Sequence, residues 1–142
     1  MSSPSPRGRA DSSVTVVMLR AARRLGNDLE AELQRADLGI DHWLVIDVLA
    51  GADGLTMAEL QSATMIAGPT QTRVVDKLVS RSLMYREVDK FDRRKVRVYI
   101  STRGLALHKE LRPAVDAVEQ AWLDDHAAQV LGGVADRHAG RS

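Results

Sequence analysis

The fold prediction starts from the stretch Gly68 to Lys95, which reads GPTQTRVVDKLVSRSLMYREVDKFDRRK. Apolar residues first recur at helical spacing, with Val75, Leu78 and Val79 on one face and Thr72 beside them. The opposite arc is small, polar and basic, and it holds Thr70, Arg73, Lys77 and Arg81, flanked by Pro69 and Ser80. After Ser82, the β-rich segments 83–88 and 96–100 enclose a charged tip at 89–95. The stretch therefore predicts a helix followed by a hairpin.

Charge is concentrated in this same part of the chain. The whole sequence has 20 Lys and Arg against 19 Asp and Glu, a net charge of +1. Residues 68–103 alone hold 10 basic and 4 acidic residues, which leaves 10 basic and 15 acidic residues elsewhere. A basic helix face beside a basic hairpin tip favours a polyanionic partner, and the phosphate backbone of DNA is the usual one.

Composition narrows the remaining classes of protein. The chain has 142 residues and no Cys, so disulfides and thiolate metal sites are excluded and a reducing cytoplasm is expected. No apolar run approaches the roughly 20 residues that span a bilayer, so no membrane partner is expected. The histidines are widely separated and no glycine-rich phosphate loop or nucleophile motif occurs, so we expect no metal, no cofactor and no enzyme.

The flanking segments predict a mainly α fold with a small β wing. Residues 1–12 are predicted to form a disordered arm, and helices are expected over 13–36 and 102–138. Between them, 38–101 contains a helix at 40–50 and a second helix that begins with the capping box of Thr56 and Glu59. Gly68 is the expected N-cap of the next helix, with Pro69 as its first residue. Two short helices joined by a tight link read as a helix-turn-helix.

At this point the sequence resembles the MarR family of bacterial transcriptional regulators. The motifs that carry the resemblance, in order, are Thr56-Met57-Ala58-Glu59-Leu60, Pro69 to Leu78, Asp92-Arg93-Arg94 and Ser101-Thr102-Arg103-Gly104. Leu38 to Trp43 resembles the family's entry to its second helix. The resemblance implies a winged helix-turn-helix at 38–101, with N- and C-terminal helices (13–36 and 102–138) that form a homodimer.

The resemblance also implies a function, that of a repressor that binds a pseudo-palindromic double-stranded DNA operator and is released by a small aromatic ligand. Its recognition helix would enter the major groove, and Arg94, oriented by Asp92, would enter the minor groove. The expected DNA contacts are Pro69, Thr70, Gln71, Thr72, Arg73, Lys77, Lys90, Arg93, Arg94 and Lys95. His42 and Trp43 are candidate residues of an effector pocket.

The sequence departs from the family's pattern at four positions. Met65 and Ser82 stand where glycine is usual, Ala67 replaces a Ser or Thr cap, and Phe91 replaces a polar or basic residue at the wing tip. Two other functions stay open at this stage. One is a winged-helix module that binds an acidic protein, and the other is a ligand or metal sensor whose DNA contact is secondary.

Overall fold

The computed structural model describes residues 13–128, which form helices and one small antiparallel sheet. The predicted arm at 1–12 and the predicted helix beyond 128 lie outside these residues. The elements in chain order are α1 (Val14–Leu33), a 3-10 turn (Gln34–Ala36), α2 (Ile40–Ala50), β1 (Leu55–Thr56), α3 (Met57–Thr64), α4 (Gly68–Ser80), β2 (Met84–Val88), β3 (Val96–Ile100), α5 (Thr102–Trp122) and a π-helical turn (Leu123–Ala127). The fold class is the expected one, mainly α with a small β wing.

The chain divides into two compact units, and the larger one is Glu32–Pro113. Its core is built from the inward faces of α2, α3 and α4 and from the sheet. The fully buried side chains belong mainly to this unit, and they include Ile46, Leu49, Leu60, Val75, Leu78 and Val98. The apolar face predicted for α4 is therefore present, although Val74 belongs to it and Thr72 is exposed.

The sheet has the strand order β1-β3-β2, and both pairings are antiparallel. The two long strands form the expected hairpin, with Tyr85 opposite Tyr99 and Val88 opposite Val96. The two-residue strand β1 pairs Leu55 with Val98. Sequence periodicity does not reveal β1, because two residues are too few to show alternation.

Side-chain capping fixes the first turns of two helices of this unit, α3 and α5. Thr56 Oγ1 accepts a hydrogen bond from Glu59 N, and Glu59 Oε1 accepts one from Thr56 N, each at 3.1 Å. This confirms the predicted capping box. At the start of α5, Ser101 Oγ accepts a hydrogen bond from Gly104 N at 3.0 Å. A Cβ at Gly104 would lie 2.2 Å from Leu83 O, so only glycine allows α5 to approach β2 this closely.

The smaller unit contains residues 13–31 and 114–128. Ala21 and Val115 are its buried apolar residues within the described part of the chain. Trp122 Nε1 donates a hydrogen bond to Ala21 O at 2.8 Å, which fastens the two helical segments together. Three large apolar side chains of this unit stay exposed, namely Met18, Leu19 and Leu123.

Candidate nucleic-acid interface

The outer arc of α4 carries most of the residues predicted to contact DNA. Pro69, Thr72, Arg73 and Lys77 are exposed, and Thr70 is partly exposed. Arg73 donates a hydrogen bond from Nη2 to Thr70 Oγ1 at 3.3 Å, so the guanidinium is held along the outside of the helix. The opposite face is buried, so α4 presents one polar, cationic surface to solvent. A helix of this kind suits the major groove, where base edges and phosphates lie within reach of one face.

Gln71 corrects the sequence analysis, which included it among the DNA contacts. Its side chain is only 1% exposed. Nε2 donates a hydrogen bond to Met57 O at 2.9 Å, and the Thr64 hydroxyl lies 3.2 Å from Oε1. A buried amide needs such partners because desolvation without them is costly. Gln71 therefore fixes α4 against α3 inside the protein and is not available to bases.

Two residues beside α4 adopt the left-handed backbone conformation that glycine usually provides, one in the link from α3 and one after the end of α4. Met65 has φ of 60° and caps α3 in the left-handed region, and Ser82 has φ of 61° beyond the end of α4. The turn is thus kept without glycine, at a cost of about 1–2 kcal/mol for each left-handed residue. Ala67, and not the predicted Gly68, is the N-cap of α4, and its methyl side chain cannot accept a capping hydrogen bond.

The wing tip holds the predicted pair of Asp92 and Arg94. Asp92 Oδ1 accepts hydrogen bonds from Arg94 N at 3.0 Å and from Arg94 Nε at 3.3 Å. The Arg94 side chain is nevertheless 92% exposed, so its guanidinium is oriented but remains accessible. Lys90, Arg93 and Lys95 are also exposed around the tip. Such a cationic hairpin end is suited to a narrow, electronegative minor groove.

A buried ion pair, which sequence reasoning missed, supports this tip. Asp89 is 8% exposed and pairs with Arg97 Nε, and its Oδ1 accepts from Phe91 N at 2.7 Å and Asp92 N at 3.0 Å. The Arg97 guanidinium first, and these two backbone donors next, lower the pKa of Asp89 to about 2. Asp is common in turns where its side-chain oxygen accepts a hydrogen bond from the backbone N–H two residues later. This turn preference was the one feature of the sequence that could have indicated the role of Asp89.

Arg97 also connects the wing to the helix-turn-helix. Its Nη1 lies 3.3 Å from Glu59 Oε1 and 3.4 Å from Gly54 O. Glu59 is the capping-box residue of α3, so one guanidinium joins the wing tip, β1 and α3. The wing is thereby held against the element that precedes α4, and the two candidate DNA-reading parts belong to one connected network.

The two candidate effector residues make packing and capping contacts within the described residues. Trp43 is 3% exposed and stacks on His108, with ring centroids 5.1 Å apart. His42 Nδ1 accepts a hydrogen bond from Gly39 N at 2.9 Å and so closes the start of α2. Burial first, and then the charges of Lys77 and Arg81, lower the pKa of His42. Packing and capping account for the positions of both side chains, and their part in an effector pocket stays a prediction.

A cleft of about 280 Å³ lies elsewhere in the same unit, and it is lined by Arg81, Leu83, Arg103, Ala106, Leu107 and Glu110. Arg81 donates hydrogen bonds to Asp37 O at 2.8 Å and Ala36 O at 3.0 Å. It therefore ties the end of α4 to the segment that leads into α2. Arg103 adds a second positive charge to the lining and Glu110 a negative one, and Leu83 and Leu107 are its larger apolar residues.

Two negative findings apply to residues 13–128. Within this range no three His, Cys, Asp or Glu side chains come close enough together to hold a metal ion. No helix in this range is both long enough and apolar enough to cross a membrane.

Comparison with known proteins agrees with this geometry. A family model described as the MarR family matches residues 36–95. The transcriptional regulator MhqR of Bacillus subtilis is 24% identical over 115 residues, which cover 81% of this chain and 72% of MhqR. The family match covers the helix-turn-helix and reaches the end of the wing tip.

Solved structures share this fold over most of the chain. The structure of BpsR of Bordetella bronchiseptica, described as regulated in DNA binding by 6-hydroxynicotinic acid, has 25% identity and a TM-score of 0.71, covering 78% of this chain and 83% of BpsR. The MepR–DNA complex of S. aureus has 19% identity and a TM-score of 0.73, covering 90% of this chain and 98% of MepR. The helix-turn-helix, the wing and these relatives together make the chain similar to the MarR family of winged helix-turn-helix transcriptional regulators, with the family model matching residues 36–95.

Proposed function

We propose that this regulator acts as a homodimeric repressor on a pseudo-palindromic operator. In each half-site α4 reads the major groove through Thr70 and Arg73, and Arg94 enters the adjacent minor groove. Pro69, Thr72 and Lys77 line the helix contact, and Lys90, Arg93 and Lys95 hold the phosphates around the wing. The observation that carries the proposal is the pairing of a basic, exposed face of α4 with an exposed, Asp92-oriented Arg94 in one compact unit.

The first test is a titration of the purified protein with DNA from upstream of its own gene at several salt concentrations. Scrambled duplex of equal length serves as competitor. Tight binding that survives the competitor and leaves a symmetric footprint, with half-sites about one helical turn apart, supports the proposal. Binding that disappears equally for both duplexes as salt rises contradicts sequence-specific recognition and favours the alternative of an acidic protein partner.

Arg94→Ala tests the wing within the same assay. We expect lower affinity and a salt slope that flattens by about one unit, because one cation no longer displaces counterions. The matched control is Arg35→Ala, since Arg35 is also exposed, at 80%, and lies on the 3-10 turn outside the proposed interface. Equal slopes for wild type and Arg94→Ala would mean that the wing does not reach the DNA.

The homodimer is proposed from the terminal helices. Met18, Leu19 and Leu123 are exposed apolar residues of one unit, and burial against a second copy would remove them from water. Sedimentation should give twice the chain mass for wild type. Leu19→Glu should shift the protein toward monomer, whereas Leu44→Glu, at an exposed leucine on α2, should not. If Leu19→Glu and Leu44→Glu are both monomeric, or both remain dimeric, the proposed interface is wrong.

The effector is proposed to be a small aromatic acid that binds in the cleft of Arg81 and Arg103. The supporting chemistry is a lining that combines two arginines with apolar residues, in a cleft of about 280 Å³. Because Arg81 also holds the segment before α2, a carboxylate that competes for it would loosen the end of α4. A panel of hydroxylated aromatic acids should raise the melting temperature of wild type without DNA, and Arg103→Ala should abolish this shift. An unchanged shift in Arg103→Ala would place the effector elsewhere.

We expect the regulator to work in the cytoplasm, where bacterial DNA lies.

A further inference from the structure

The wing tip carries an aromatic side chain that the proposed DNA contacts do not explain. Phe91 is the only phenylalanine of the chain and is 98% exposed. It therefore packs against no part of the described protein. A large apolar group that is kept wholly in water at the end of a hairpin is unfavourable in the free protein, so a surface that covers it on binding would stabilise it.

Phe91 is presented by a fixed turn. Its N–H donates to Asp89 Oδ1 at 2.7 Å, and Lys95 N donates to Asp92 O at 3.0 Å across the tip. Asp89 is itself held by Arg97, which reaches Glu59. The backbone at Phe91 is thus fastened to α3 through a short chain of polar contacts. An apolar side chain on such a preorganised loop loses little further backbone freedom when it binds.

The surroundings of Phe91 select the partner. Lys90, Arg93, Arg94 and Lys95 lie within four residues of it. The two nearby acids are both engaged, Asp89 by Arg97 and Asp92 by Arg94. The partner must therefore be anionic at its edges and apolar at its centre. The minor groove of DNA has this character, because phosphates border a groove whose floor is made of stacked bases and whose walls are sugars.

We propose that Phe91 enters the minor groove beside Arg94 and wedges against a base step, partly unstacking it and kinking the operator. This inference rests on the proposed function, since it requires that the wing reaches DNA. Pyrimidine–purine steps such as TA unstack most easily, so the wedge adds a preference for such a step at the outer end of each half-site. Phe91 then contributes to sequence selection without any hydrogen bond to a base.

The proposal separates two kinds of contact at one hairpin tip. Arg94 supplies charge, and its removal changes the salt slope. Phe91 supplies stacking, and its removal lowers affinity by the same factor at every salt concentration. Base–aromatic stacking corresponds to roughly 5- to 150-fold in affinity. Leucine is also used as a minor-groove wedge, so Phe91→Leu should retain most of the affinity that Phe91→Ala loses.

The experiment uses duplexes that wild-type protein selects from a random pool, with 2-aminopurine at the TA step under the wing. Wild type and Phe91→Leu should raise the 2-aminopurine fluorescence and shorten the distance between dyes at the duplex ends. Phe91→Ala should do neither, should bind more weakly by the factor above, and should keep the wild-type salt slope. Because Phe91 is solvent-exposed, both variants should fold, and circular dichroism checks this.

Three results would overturn the inference. If Phe91→Ala matches wild type in affinity, in DNA bending and in 2-aminopurine fluorescence, the side chain does not touch DNA, although the regulator still binds its operator. A loss of affinity in Phe91→Ala with unchanged 2-aminopurine signal and bend means a contact to sugar without a wedge. Cosedimentation of wild type, but not of Phe91→Ala, with vesicles containing acidic phospholipid means that the tip is a membrane contact. If wild type selects no duplex at all, the proposed function itself fails, which is a separate outcome.

Discussion

The same substitution at two positions only two residues apart should have opposite effects on stability. Ser82 lies in the left-handed region, with φ of 61°, and follows the end of α4. Ser80 is the last helical residue of α4, and its Oγ donates to Lys77 O at 2.7 Å. Both side chains are exposed, so neither serine contributes to the core. Ser82→Gly and Ser80→Gly therefore differ mainly in backbone conformation.

The magnitudes follow from these conformations. Glycine at 82 removes a left-handed strain of about 1–2 kcal/mol but adds about 0.4–1 kcal/mol of unfolded-state entropy. The net gain in the free energy of unfolding is about 0.5–1 kcal/mol. Glycine at 80 relieves no strain and loses helix propensity of about 0.5 kcal/mol, and it also loses the hydroxyl bond to Lys77 O. Ser80→Gly should therefore lower the free energy of unfolding by about 0.5–1 kcal/mol.

Urea unfolding followed by far-ultraviolet circular dichroism measures both changes. With an m-value near 1.5 kcal/mol/M, we expect midpoint shifts of about 0.3–0.7 M, upward for Ser82→Gly and downward for Ser80→Gly. All samples need one protein concentration, because the stability of a dimer depends on it. Shifts of the same sign for the two variants would refute the reasoning, since they would show that Ser82 carries no left-handed strain in solution.

Three further predictions concern the supports of the interface. Gly104→Ala should cost about 1–3 kcal/mol through the collision with Leu83 O, whereas Gly51→Ala, whose nearest contact would be 3.9 Å away, should be neutral or slightly stabilising in the same urea assay. Asp89→Asn should speed hydrogen exchange at the wing tip and weaken operator binding. In wild type the contribution of Asp89 to the stability of the wing should be complete above pH 3.8 and lost as pH falls through about 2. His42 has a lowered pKa, so its contribution to stability should be complete above pH 6.5 and decline as pH falls below it, and His42→Ala should remove this part of the pH dependence. An identical pH profile for His42→Ala and wild type would contradict that assignment.

The Asp89–Arg97 pair explains how the wing can present both an arginine and a phenylalanine without folding back on the protein. Asp89 accepts from the backbone of the tip, and Arg97 connects that carboxylate to Glu59 on α3. The residues that we expect to touch DNA are thus supported by residues that do not touch it. A variant at Asp89 should consequently affect Arg94 and Phe91 together, whereas variants at either tip residue should separate their contributions.

The sequence by itself determined the features that depend on neighbours two to four residues away. These include the helical spacing of Val75 and Leu78, the capping box of Thr56 and Glu59, and the contact of Asp92 with Arg94. Each is a local interaction whose geometry follows once the backbone type is known. Helix bounds in the helix-turn-helix and the hairpin strands were consequently predicted to within a residue or two.

Only the tertiary structure decided which polar groups lie inside. Gln71 is buried because Met57, 14 residues earlier, offers its carbonyl, and Arg97 supports the wing because Glu59 and Gly54, 38 and 43 residues earlier, lie beside it. The burial of Trp43 depends likewise on His108, far along the chain. A polar side chain can be buried only where partners replace its water, and those partners are brought together by the fold, not by the spacing of residues along the sequence.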